Sequence, residues 1–228
     1  MDRYCLIGRG IAHSRSPEIY RTLLRGPFIY DLLDVASVDE LPSAETLAAR
    51  YRGVNVTAPY KQHYAAWALP AVKRLGAVNC LRFRDGRPEA TNTDYLAMRH
   101  LVRATQAEAG AADWIVLGDG AMARTTIAVL SELGLPWRQC ARRLGHDLAA
   151  LGLAARGAPG SVSVVVNTCA REYVFQQSLP SGWLFWNLNY AHRAQDEVAK
   201  QLGFDYRDGF ALLKLQAEEA VKFWEFRG

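Results

Sequence analysis

The chain has 228 residues, 50% of them hydrophobic and 22% charged, with 27 Lys and Arg against 23 Asp and Glu. That length allows one large domain or two small ones, and the composition supplies a buried core and excludes wholesale disorder. The formal charge of +4 comes from scattered basic residues rather than a run, which fits a phosphate-bearing small ligand better than a nucleic-acid groove.

The four cysteines, Cys5, Cys80, Cys140 and Cys169, are far apart and form no C-x-x-C pair. That spacing argues against a metal centre and against a disulfide framework. The N-terminus lacks the charged-then-apolar layout of a signal segment, and no apolar run is long enough to cross a bilayer. The expectation is a cytoplasmic protein with a small-molecule partner, no nucleic-acid or membrane partner, and a monomeric or homodimeric state.

In chain order, "RYCLIGRG" reads as a buried strand ending at glycines. "SPEIYRTLL" reads as a helix start, with Ser16 as N-cap and Pro17 at the first helical position. "IYDLLDV" and "GVNVT" read as strands, and "LGAVNCLRF" followed by "DGR" as a strand and a turn. A helix begins near "TDYLAMRHLVRAT", and the small residues of "AGAAD" make a hinge.

"WIVLGDGAMARTTIAVLSELG" reads as strand, glycine turn and helix, with Gly134 as the stop; "SVSVVVN" and "WLFWNLNY" are two more strands. In "FALLKLQAEEAVKFWEF", Leu213, Ala217, Ala220 and Trp224 recur at helical spacing, and the aromatic tail "FWEF" is either core or interface. The alternation predicts an α/β fold with mostly parallel sheets, in two units with a boundary near residues 95–112.

Two stretches carry chemistry. "GVNVTAPYK" puts Asn55, Thr57 and Lys61 on one short turn; either all three face water or they converge on a small polyhydroxylated ligand. Gly118, Gly120 and Ala123 form G-x-G-x-x-A between a strand and a helix. Glycines there let a pyrophosphate approach the N–H groups of a helix N-terminus. About twenty residues on, where an acid usually meets the ribose of NAD, stand Arg142 and Arg143, which suit the 2′-phosphate of NADP; solvated loop arginines are the bland alternative. Asp119 between the glycines opposes this: two unit charges about 6 Å apart repel by roughly 3 kcal/mol at an effective dielectric of about 20.

Taken in order, "IGRGIAHSRSP", "GVNVTAPYK", "LGAVNC", "TNTD", "GDGAMAR" and "DGFALLKLQA" resemble the motifs of the shikimate dehydrogenases and their quinate dehydrogenase relatives. The resemblance spans almost the whole chain. It implies a substrate-binding α/β domain over residues 1–98, to which a C-terminal helix in 210–228 returns, and a shortened Rossmann-like domain over 99–209. It implies an NADP-dependent alcohol dehydrogenase that reduces 3-dehydroshikimate reversibly to shikimate. Lys61 and Asp94 would be the catalytic pair. Ser14 and Ser16 would hold the substrate carboxylate, Thr57, Asn79 and Gln216 would bond ring hydroxyls, and Tyr190 would line the carboxylate end. Gly118, Gly120, Ala121, Ala123, Arg142 and Arg143 would bind NADP.

The catalytic types suit the reaction. Oxidising a secondary alcohol releases a hydride and a proton, and a lysine beside a carboxylate can handle the proton, by transfer or by polarisation. The alternative for such a pair is a surface ion pair of little consequence. Gln216 falls on the apolar stripe of the last helix, where its amide needs a partner, either a ring hydroxyl or a backbone carbonyl of the first domain.

Departures from the family pattern gather on the cofactor side. Glu172 and Tyr173 in "TCAREYV" stand where members carry Gly-Met, Asn187 and His192 flank Tyr190 in place of Asp and Pro, and Cys80 replaces a Thr. Beside the NADP-dependent enzyme stand two alternatives: a relative acting on quinate or an amino-shikimate, and a catalytically weak shikimate-binding or regulatory protein.

Overall fold

The computed structural model describes residues 1–110, 113–145 and 162–224. Two compact units result, one from Met1–Leu96 with the segment from Lys214 onward, the other from Ala97–Leu213.

The first unit contains β1 (Asp2–Gly8), α1 (Ser16–Leu23), β2 (Phe28–Asp34), α2 (Ala44–Ala48), β3 (Gly53–Val56), α3 (Pro70–Lys73), β4 (Cys80–Arg84) and β5 (Arg87–Thr91). Its sheet has the order β2-β1-β3-β4-β5. Strands β1, β2 and β3 are parallel, whereas β4 and β5 are antiparallel additions. Although pairing over both sheets is mostly parallel, as the sequence predicts, this sheet is therefore mixed. The reason is local: Asp85 and Gly86 both take positive φ (49° and 73°), the geometry of a tight hairpin, so β5 folds straight back on β4.

The remaining elements are α4 (Thr93–Ala109), β6 (Asp113–Leu117), α5 (Ala121–Glu132), β7 (Trp137–Cys140), β8 (Ser163–Asn167), β9 (Leu184–Asn187), α6 (Arg193–Leu202), β10 (Asp205–Arg207) and α7 (Phe210–Phe223). Helices α4 and α7 run through the two points where the units divide. The expected hinge at "AGAAD" is in part the last turn of α4, which reaches Ala109; Ala111 and Ala112 lie outside the described residues.

The second unit's sheet is parallel throughout, in the order β10-β9-β8-β6-β7. Strands β6 and β8 are buried at every position, as a strand covered on both faces must be. The chain leaves β6 to one side for β7 and to the other for β8. Such a switch point opens a crevice at the strands' carboxyl ends.

Ala217 and Ala220 of helix α7, with Trp224 just after it, serve the first unit, clustering with Tyr4, Tyr20, Leu24 and Cys80. The Trp224 ring lies 4.7 Å from Tyr4 and 5.2 Å from Tyr20, and its Nε1 donates to the Leu81 carbonyl at 2.9 Å. A Cβ on Gly53 would collide with that ring, so "GVNVT" must open with glycine. Trp224 of the "FWEF" tail is thus core; Glu225 and Phe226 lie outside the described residues. Leu213, expected on the same stripe, is only half-buried, and Leu212 is buried instead.

Candidate active site

In the first unit the site is assembled on the start of α4. Asn92 precedes the helix and its Oδ1 accepts from the Tyr95 N–H at 3.0 Å, while its Nδ2 donates to the Ala77 carbonyl at 3.1 Å. Asn79 Oδ1 accepts from the Thr93 N–H at 2.6 Å. Two orphan donors of the helix N-terminus are satisfied this way. Asp94 follows in the first turn, where a carboxylate is favoured by the helix dipole.

Lys61 sits in the 3-10 turn Tyr60–Gln62, and its carbonyl accepts from the Val78 N–H at 2.8 Å. Residues 78–79 and 91 are joined in turn by the Asn79 N–H donating to the Thr91 carbonyl at 3.1 Å. Lys61 and the start of α4 are thereby tied to the same strand ends. Lys61 Nζ donates to Asp94 Oδ2 at 2.6 Å, with the side chains only 18% and 14% exposed. This is not a loose surface ion pair.

Thr93 is fully buried, and its hydroxyl faces two amide oxygens, Asn79 Oδ1 and Gln216 Oε1, each at 3.2 Å. Gln216 thus takes a partner that its sequence position did not suggest, the Thr93 side chain. With the oxygens of Asn79 and Gln216 turned to Thr93, what each amide presents elsewhere is its N–H donors. Thr93 was not singled out in the sequence; its place inside "TNTD" was the available signal.

Asn55 departs from the convergence that its turn suggested. It is 5% exposed, accepts from the Tyr30 hydroxyl at 2.7 Å, and points its Nδ2 at the Asn79 carbonyl 3.5 Å away. It braces the sheet, and Thr57 and Lys61 remain as the half-buried polar groups of the turn. A Cβ on Gly8 would strike Thr57 Cγ2 and Ile11 Cγ2, which brings the end of β1 close against this turn.

Ser14 and Ser16 are both half-buried or nearly so, and Ser14 Oγ donates to Ser16 Oγ at 3.1 Å and accepts from the Ser16 N–H at 3.2 Å. The expected cap is displaced: Ser16 is the first residue of α1, Arg15 holds the N-cap position without a side-chain cap bond, and the Ser16 N–H is taken up by Ser14 Oγ instead. Tyr190 belongs to the second unit; its carbonyl and that of Ala191 accept from Arg171 at 3.0 and 2.7 Å.

In the second unit, Gly118, Asp119, Gly120, Ala141, Arg142, Arg143, Thr168, Cys169, Ala170, Glu172 and Tyr173 line a cavity of about 770 Å³. These residues follow the carboxyl ends of β6, β7 and β8, the three strands of the switch point. Gly118 has φ 108°, and a Cβ there would lie 2.6 Å from Thr168 Oγ1, so only glycine fits. Gly120 is the N-cap of α5 and brings no side chain to the helix N-terminus, and nothing lies within 4 Å of where its Cβ would be. Ala121 opens α5, and Ala123 is fully buried. Open N–H donors, no Cβ in the way and two arginines across the crevice are a donor set that fits a dinucleotide phosphate group.

Arg143 Nε pairs with Asp119 Oδ2 at 3.2 Å. Asp119 therefore faces a cation rather than standing alone before the crevice. Among the described residues Arg142 has no ion-pair partner. Burial raises the Cys169 thiol to about 11, so it lines the cavity as a neutral group.

An α/β unit carrying a shielded Lys–Asp pair, in one chain with a glycine turn and arginines at a Rossmann switch point, defines the class of NADP-dependent oxidoreductases. The shikimate dehydrogenase substrate binding domain family matches residues 6–81. The NADP(+) shikimate dehydrogenase of Paracidovorax citrulli is 33% identical over 98% of this chain and 91% of its own length. That of Afipia carboxidovorans is 37% identical over 58% of this chain, a match spanning 50% of the relative. The structure of the Thermus thermophilus shikimate 5-dehydrogenase in complex with NADP(H) and shikimate is 26% identical, with a TM-score of 0.72, and the match covers 98% of this chain and 93% of that one. The chain belongs to the shikimate dehydrogenase family.

Proposed function

We propose that this protein is an NADP-dependent shikimate dehydrogenase that interconverts 3-dehydroshikimate and shikimate. The observation that carries the reading is the shielded 2.6 Å contact of Lys61 and Asp94, beside polar side chains suited to a hydroxylated ring acid. NADP, when bound, exchanges the hydride. The chain's own residues handle the oxygen and its proton. The Lys61 ammonium hydrogen-bonds the reacting oxygen and, in the reductive direction, donates a proton to it. Asp94 keeps that ammonium aimed.

Ser14 and Ser16 bind the substrate carboxylate through their hydroxyls. Thr57 and the amide N–H groups of Asn79 and Gln216 bond the ring oxygens. Tyr190 is assigned to the carboxylate end on the strength of the family resemblance. Gly118, Gly120, Ala121 and Ala123 shape the pyrophosphate turn, and Arg142 and Arg143 serve the 2′-phosphate. The four cysteines are free thiols, in keeping with a reducing compartment such as the cytoplasm; the protein acts as a monomer or homodimer.

Glu172 and Tyr173 at the cofactor cavity favour a second reading, a protein that holds shikimate and turns it over slowly. Calorimetric titration with NADPH, NADH and shikimate separately, followed by steady-state kinetics, decides. Binding of shikimate and NADPH with turnover supports the enzyme. Shikimate binding without either dinucleotide replaces it with the binding protein. Tighter binding and faster turnover of quinate than of shikimate would move the assignment to that substrate.

A further inference from the structure

The anion between the two glycines has a defined partner. Asp119 Oδ2 lies 3.2 Å from Arg143 Nε, with the arginine side chain 87% exposed and the aspartate 35%. Both line the same cavity as Arg142 and Glu172. We propose that Asp119 determines how strongly this site prefers NADP(H) over NAD(H), by holding Arg143 and weakening its attraction for the 2′-phosphate. This rests on the NADP reading given above.

Two effects of Asp119 compete. By pairing with Arg143 it orients a long, exposed side chain, and its Nε contact leaves the two terminal nitrogens of the guanidinium available. Exposed pairs of this kind fix a side chain only weakly. Against that, Asp119 cancels much of the arginine's charge and repels a phosphate bearing up to two negative charges. The repulsion acts on both phosphate charges, whereas the orientation gain is confined to one side chain. Repulsion therefore wins, and Arg142, with no carboxylate partner among the described residues, carries most of the 2′-phosphate attraction. The pyrophosphate is common to NADPH and NADH, so whatever Asp119 does to it cancels in the ratio of their affinities.

The test is calorimetric titration of the full chain with NADPH and with NADH, for the wild type, Asp119→Asn and Arg143→Ala. Asp119→Asn is expected to raise the NADPH to NADH affinity ratio by roughly fivefold, and Arg143→Ala to lower it. Asp119→Ser repeats the test with a side chain too short to mimic the carboxylate. A ratio that stays constant or falls in both Asp119 variants, while the wild type binds NADPH, overturns this proposal and leaves the cofactor reading standing. Absence of dinucleotide binding in the wild type and in both Asp119 variants overturns the cofactor reading itself and this proposal with it.

Discussion

Lys61 Nζ meets Asp94 Oδ2 at 2.6 Å although 33 residues separate them in the chain. Neither side chain reaches the other by chance of surface mobility. Lys61 is pinned by its carbonyl to Val78, and Asp94 rides on a helix start whose first N–H groups are capped by Asn79 and Asn92.

Lys61→Ala is expected to lower turnover by about 10²- to 10⁴-fold, the range of a lost general acid, while shikimate binding weakens by much less. Asp94→Asn should lower turnover with Lys61 in place, since the ammonium loses its charge partner. Steady-state kinetics and shikimate calorimetry on the same preparations separate the two quantities. Near-normal turnover in Lys61→Ala would remove it from the catalytic pair.

Arg142→Ala should weaken NADPH about tenfold or more and leave NADH within about twofold, because a guanidinium–phosphate contact is charge-assisted and only NADPH carries the 2′-phosphate. Dinucleotide titrations check this, and equal losses for both would leave Arg142 without that role.

Asn79→Ala removes the acceptor of the Thr93 N–H and one of the two oxygens that face its hydroxyl. The expected loss is about 1–2 kcal/mol of stability, the usual cost of a helix cap or a buried unsatisfied donor, in addition to any loss of substrate affinity. Urea denaturation measures the first and shikimate titration the second. A variant as stable as the wild type would mean that Asn79 serves substrate alone.

His192 carries a pH dependence. It is 7% exposed, and Asn187 Nδ2 lies 3.1 Å from its Nδ1. Asn187 Oδ1 is occupied by Asn167 Nδ2 and the Asn189 N–H, so the amide offers His192 a donor. Nδ1 must then accept, and the proton sits on Nε2. Burial, with the nearby Arg171 cation, holds the imidazole below its ordinary 6.5. The unfolded chain therefore takes up the proton first. The stabilisation is complete above the unfolded value and is lost as pH falls through the lower folded one. Melting temperatures between about pH 7 and 5 should fall more steeply in the wild type than in His192→Gln. Parallel slopes would assign the acid sensitivity to other groups.

Much of this was readable in the residues. Glycines at 118, 120 and 134, the Asp85-Gly86 turn and the buried runs of β6 and β8 announce strands, turns and helix ends, because backbone sterics and hydrophobic periodicity act over a few neighbouring residues. The ordered motifs named the family and placed Lys61 and Asp94 in one chemistry. The antiparallel seating of β4 on β3, the turning of Asn55 to Tyr30, the Asn79–Thr93–Gln216 cluster and the Asp119–Arg143 pair were decided only in three dimensions. Each of these depends on which distant segment supplies the partner. A side chain's hydrogen-bonding capacity is written in its residue type, but its direction and its partner are set by strand register and by how a helix such as α7 seats Gln216 against Thr93.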